Sequence, residues 1–176
     1  MRKEWSCYSL HAATTIAFSC DVTLKHLSSP QLMTKWIIGL RKVAYLDRDS
    51  SSGAYGTRML LDFGSGSRQP GTFHGEVLED SERLLIRRYR PSFGGDSHER
   101  IIQYDLEDAA AGNTWLSCSV HARTMGLSTA IQKYAQRAEQ RHLDNSLNLL
   151  HVISEDAQRI PLMARIRHSR LMGQPL

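Results

Sequence analysis

The amino-acid sequence predicts an α+β fold, in which a curved seven-stranded antiparallel sheet is gripped by one long C-terminal helix and sealed at one end by two short helices. Three observations lead there. Six strand-length runs follow one another from Leu40 to Arg123, separated by short stretches rich in Gly, Ser, Asp and Asn, the lengths that make hairpins. The segment Ser128–Glu155 then contains neither Gly nor Pro and repeats apolar residues at helical spacing. Ahead of the six runs, a proline-started segment ending in Trp36 has the length of a short helix.

In chain order, "AATTIAFSC" (Ala12–Cys20) is rich in β-branched residues and reads as the first strand. Asp21 is placed to cap a short helix, "VTLKHL", by accepting from the free amides of its first turn. Ser29 and Pro30 open a second, "PQLMTKW", with Pro where a missing N–H costs nothing. Gly39 ends that segment. The strands "LRKVAYL", "GTRMLLDF", "GTFHGEVLE", "RLLIRRYR", "ERIIQYDLE" and "TWLSCSVHAR" follow. In the last, Leu116, Cys118, Val120 and Ala122 alternate with Ser117, Ser119, His121 and Arg123, so one face turns inward and the other to water. After Gly126 the period changes, and Ile131, Ala135, Ala138, His142, Leu149 and Ile153 recur near helical spacing behind a candidate N-cap, Ser128.

Length and composition narrow the class. At 176 residues the chain suits one domain with one core, expected over 1–155 with its core from about 12. A basic extension, 156–176, is interrupted by Pro161 and reads either as more helix or as a loose tail. Lys and Arg total 22 against 18 acids, a mild excess of +4. The nearest thing to a nucleic-acid stripe is "RRYR", Arg87–Arg90, which a solvated strand face explains as well, so a nucleic-acid partner is not expected. Cys7, Cys20 and Cys118 are odd in number and form no CxxC, which points to a reducing compartment and away from structural zinc. Glu4 and His11 interrupt any apolar core of a secretory signal, and no apolar run reaches the roughly 20 residues of a membrane span. A cytoplasmic protein is the expectation.

Motifs for covalent or metal chemistry are not formed. "FGSGSRQ" lacks the glycines that a nucleophile elbow needs two residues either side of Ser65 or Ser67. His74, His98, His121, His142 and His151 build no ligand set, and neither metal nor cofactor is expected.

The order of elements resembles the START-like (SRPBCC) superfamily, which includes polyketide cyclases and dehydrases, lipid-transfer domains and plant allergen-like ligand binders. The resemblance rests on "LSSPQLMTKWIIGLRKV", then "GAYGTRMLLDF", "GEVLEDSERLLIRR" and "GNTWLSCSVHA", closed by the long helix, and covers roughly Ala12–Glu155. It implies the helix-grip fold with a deep, mostly apolar pocket, and no single chemistry.

Parity then nominates the residues that line such a pocket. Met59, Leu61 and Phe63 share one wholly apolar face of their strand, and Ile102, Tyr104 and Leu106 form a similar set. With Leu116, Cys118 and Val120 they make the sheet side; Leu127, Ile131, Tyr134 and Ala138 make the helix side. Trp36 would plug the floor, as a core residue or as a ligand wall that offers a flat face and one N–H. For "RLLIRRYR" the register stays open, because either parity turns an arginine inward. His142 and Tyr104 are the weak catalytic candidates. The expected function is binding or carriage of a hydrophobic or aromatic small molecule of lipid-, polyketide- or isoprenoid-like character. The alternatives are a cyclase- or dehydratase-like enzyme, marked by an inward His, Tyr or Arg beside a second titratable group, and an interaction module with a filled cavity.

Overall fold

The computed structural model describes residues 5–46, 56–64, 71–92, 98–126 and 128–171. Its elements are β1 (Trp5–Ile16), α1 (Cys20–Ser28), α2 (Pro30–Trp36), β2 (Leu40–Tyr45), β3 (Arg58–Phe63), β4 (Gly71–Asp80), β5 (Leu84–Pro91), β6 (His98–Asp108), β7 (Thr114–Met125) and α3 (Thr129–Leu171). The seven strands form one antiparallel sheet in the order β1-β7-β6-β5-β4-β3-β2. This is the predicted α+β arrangement. Most of the predicted linkers "DRDSSSG", "GSGSRQPG" and "PSFGGDS", with Ser65 and Ser67, lie outside the described residues, as does Leu127.

The ends of the first elements differ from expectation. β1 starts seven residues earlier, at Trp5 rather than Ala12, because every residue from Trp5 to Ile16 finds a partner on β7, from Met125 back to Thr114. Cys20 opens α1 instead of closing the strand, Ser19 takes the N-cap position, and Asp21 sits inside the first turn, where a carboxylate still complements the helix dipole. α2 falls where predicted, with Pro30 in its first turn. Gly39, at φ +80°, lets the chain turn from α2 into β2, a backbone angle that glycine adopts without steric cost. The helical backbone of α3 runs past Glu155 to Leu171.

The strand parities follow the pattern of the sequence. β7 buries Leu116, Cys118, Val120 and Ala122 while Trp115, His121 and Arg123 face out. β3 buries Met59 and Leu61. β5 resolves the open register: Leu85, Arg87 and Tyr89 are buried, and Arg88 and Arg90 lie on the convex face. There Glu99 accepts from Arg90 (2.7 and 2.9 Å) and Arg123 (2.7 Å), with Arg88 at 3.5 Å. The basic run "RRYR" is thus divided between two faces, and its outward half is engaged by a carboxylate.

α3 lies along β1, the first edge of the sheet. Its side chains reach the outward backbone groups of that strand and the residue after it: Gln132 Nε2 donates to the Cys7 carbonyl (3.2 Å), Gln140 Nε2 to that of His11 (2.9 Å), and His151 Nδ1 bonds that of Thr15 (2.6 Å). Ser154 Oγ accepts from the Ala17 amide at 2.9 Å. The middle of the helix buries Ser146, Leu147, Leu150 and Ser154, and its first turns, tied to β1 only at the sheet's edge, stand off the concave face, with Ile131 and Tyr134 exposed. A wedge of space remains beneath those turns.

Candidate functional site

That wedge is a cavity of about 470 Å³ between the concave sheet and the N-terminal half of α3, a size typical of small-molecule sites. Leu10, Leu61, Phe63, Phe73, Ile102 and Val120 give it an apolar sheet side; Tyr134, Ala135, Ala138 and Leu143 face them from the helix. Alanines at 135 and 138 keep the helix backbone near the space without filling it. Tyr134, 76% exposed, stands at the mouth.

The floor is made by Trp36 and Ile37. Trp36 is almost wholly buried, its Nε1 donates to the His26 carbonyl at 2.9 Å, and its ring meets Tyr104 edge-on with centroids 6.4 Å apart. The bond ties the end of α2 to α1, so this aromatic is both a core residue and a wall of the cavity. Burial, with Cys118 and Tyr89 close by, raises Tyr104 far above the usual tyrosine range, so its phenol is a neutral donor near pH 7.

One polar cluster interrupts the apolar wall. Arg100 on β6 pairs with Glu139 on α3, and the other carboxylate oxygen of Glu139 accepts from Tyr8 at 2.5 Å. Arg100 also lies over the Phe73 ring, 5.9 Å from its centroid. His142, one turn along the helix from Glu139, completes this wall. Burial, and then the bond to Glu139, raises Tyr8, which therefore stays a neutral donor. Nearby, burial and the Arg100 charge push His98 down to about 4, leaving the imidazole neutral at physiological pH. His98 bonds Thr124 Oγ1 through Nδ1, while its buried Nε2 has no partner among the described residues.

Of the residues nominated by parity, Trp36, Leu61, Phe63, Tyr104, Val120, Tyr134 and Ala138 stand at the cavity wall, as does His142. Met59, Leu116 and Cys118 are fully buried on the same face of the sheet but lie in packed core away from the space. Ile131 is turned to solvent at 55% exposure, although Gln132 beside it reaches the edge strand β1. Burial drives the Cys118 thiol well up, so it is no nucleophile at neutral pH. Arg100 and Glu139 were not foreseen, although Arg100 shares the parity of Ile102 and Tyr104 and so could have been. Tyr89 and the buried Arg87 were hidden by the undecided register of β5. Among the described residues no three His, Cys, Asp or Glu side chains converge as a metal set, and no described helix is long and apolar enough to cross a membrane.

Comparison with solved structures matches this arrangement of sheet, floor helices and gripping helix. A START superfamily protein from Mycobacterium smegmatis superposes with a TM-score of 0.66 at 14% identity, over 85% of this chain and 98% of its own. The fold is the helix-grip fold of START-like proteins. Ara h 8.0201 superposes at 0.62 with 13% identity, over 86% of this chain and 99% of its own, and an uncharacterised protein from Rhizobium leguminosarum at 0.66 with 12% identity, over 89% and 99%. No family model matches the chain, and no curated protein matches it significantly in sequence. At such identities the helix-grip likeness speaks for the fold alone.

Proposed function

We propose that this helix-grip protein binds and carries a hydrophobic or aromatic small molecule, of lipid-, polyketide- or isoprenoid-like character, between the sheet and α3. The observation that carries the reading is the cavity of about 470 Å³ with its mainly apolar wall and its mouth beside Tyr134. Trp36, Leu61, Phe63, Tyr104, Val120, Tyr134 and Ala138 would contact the ligand, and apolar surface removed from water would supply most of the affinity. A filled cavity would have favoured an interaction module instead. Native mass spectrometry of protein purified without denaturation tests the proposal: a mass above that of the bare chain, lost on denaturation, is expected. A bare mass, together with no uptake of a hydrophobic dye, would overturn it.

A cyclase- or dehydratase-like enzyme is the second reading, favoured by Arg100 and Glu139 in contact at the wall, with His142 beside them and Tyr8 bonded to Glu139 from behind. It ranks second because Glu139 already accepts from two donors, and a general base must have an oxygen within reach of the proton that it removes. If the co-purified species were converted by the wild-type protein and only retained by Glu139→Gln, this order would reverse.

A further inference from the structure

Among the described residues two arginines, Arg87 and Arg100, turn toward the interior, and their partners differ. Arg100 is neutralised by Glu139. Arg87 is fully buried, and its polar contact among the described residues is Nη1 against Met33 Sδ at 3.4 Å, a weak acceptor; Nε and Nη2 make no hydrogen bond. The groups that act on it are phenols: Tyr89, whose hydroxyl is near enough to favour the charged guanidinium, then Tyr104 and Tyr45, and the Tyr45 hydroxyl already donates to the Ser28 carbonyl at 2.5 Å, so no carboxylate answers the charge inside. Asp80, the carboxylate that feels Arg87, is solvent-exposed at the end of β4. A guanidinium cannot shed its proton to relieve burial, so an unanswered one is a costly thing to hold inside a protein.

Its place beside the cavity matters more than the cost. Arg87 faces Ile102 across the β5–β6 ladder, with Tyr89 two residues along its own strand and Tyr104 diagonally opposite. Ile102, Tyr89 and Tyr104 all form the wall, so Arg87 lies one side chain behind it, against Met33 of α2, the helix that ends in the floor residue Trp36. Nε and Nη2 share one edge of the planar guanidinium, and their parallel N–H groups match the two oxygens of a carboxylate.

We infer that the inner end of the cavity is an anion subsite: the ligand is an apolar or aromatic molecule bearing a carboxylate, which passes between Tyr89 and Tyr104 and docks side-on to Nε and Nη2 of Arg87. This rests on the cavity being a ligand site. The acid then points inward and the apolar body toward the mouth at Tyr134. Tyr104, held as a neutral phenol, is placed to donate a further bond to the carboxylate.

The test uses the full-length protein with cis-parinaric acid and its methyl ester as fluorescent probes. The wild-type protein is expected to prefer the acid by about tenfold or more, the scale of hydrogen bonds to a charged group. Arg87→Met should remove that preference while leaving the ester's affinity unchanged. Equal binding of acid and ester by the wild-type protein would overturn the anion subsite and leave the ligand site standing, whereas binding of neither would overturn both. A preference that survives Arg87→Met but disappears in Arg100→Met would place the acid at the Arg100–Glu139 pair and overturn the inference. A second readout does not depend on how any variant folds. Carboxyl-labelled acid bound to the wild-type protein, followed by carbon-13 NMR, should titrate below its free value; titration at or above that value would overturn the assignment.

Discussion

Replacing Ala138 by Trp separates an open cavity from a packed core. Ala138 lies on the helix wall, across from sheet residues such as Phe63 and Val120. In a close-packed interior an enlargement of this kind typically costs ~1–3 kcal/mol through displaced side chains. For a chain of this size that would lower the melting midpoint by roughly 2–4 °C per kcal/mol. Into a space of about 470 Å³ the indole enters without displacing its neighbours. The remaining penalty is helix propensity, at most ~0.7 kcal/mol between Ala and an aromatic, and burial of indole surface offsets it at ~25 cal/mol per Å². The expected outcome is a melting midpoint within about 2 °C of wild type together with at least tenfold weaker binding of a hydrophobic reporter dye, equivalent to ~1.4 kcal/mol of lost affinity. Circular dichroism melts and dye titration on the same samples supply both numbers. A midpoint lowered by several degrees with unchanged dye affinity would refute the reasoning, because the residue would then pack against core and the dye would bind elsewhere.

Acid should weaken the fold through His98. Its folded value of about 4 lies below the ordinary ~6.5, so the native state favours the neutral ring: stability is complete above pH 6.5, declines as pH falls through the window, and levels off below about 4. Discounted for partial exposure, the loss is on the order of 1–2 kcal/mol, and His98→Asn should flatten urea-denaturation stability between pH 6.5 and 4. Glu99 works in the same direction at lower pH: burial raises its carboxyl, but Arg90, Arg123 and Arg88 outweigh this and hold it below the usual range, so its contribution is lost as pH falls through that lowered value. Gly75→Ala should destabilise by ~1–3 kcal/mol, read as a lower urea midpoint, because the new Cβ would come within 2.6 Å of Met59 Cγ and 2.9 Å of the Tyr89 ring.

The sheet and the gripping helix were legible because their signals are local and repeated. Alternation along β7 and β3 is clean, and the glycine-free helical period of α3 is long. β5 was illegible for the opposite reason: Arg87, Arg88 and Arg90 put charge on both parities, and carboxylates on neighbouring strands, Glu76 and Glu99, hold the outward set. The cavity wall was half legible. Parity places Met59, Leu61, Leu116 and Val120 on one face, yet whether a residue meets open space or packed core depends on where α3 lifts from the sheet, and no periodicity in the strands records that. Ile131 shows the same limit, since helical phase alone places it inward at a turn that touches only the edge strand and stands off the concave face.

The bonds from α3 to the rim of β1 bear on how this molecule behaves among copies of itself. A strand at the border of a sheet offers a row of unpaired carbonyls and amides to any extended chain nearby, which is how sheets join edge to edge and seed aggregates. Here the carbonyls of Cys7, His11 and Thr15, four residues apart, are taken by Gln132, Gln140 and His151. The opposite border, β2, is only six residues long, irregular between Leu40 and Lys42, and carries Arg41 and Lys42 exposed. The gripping helix therefore also works as a guard, denying a foreign strand the long border while brevity and charge protect the short one.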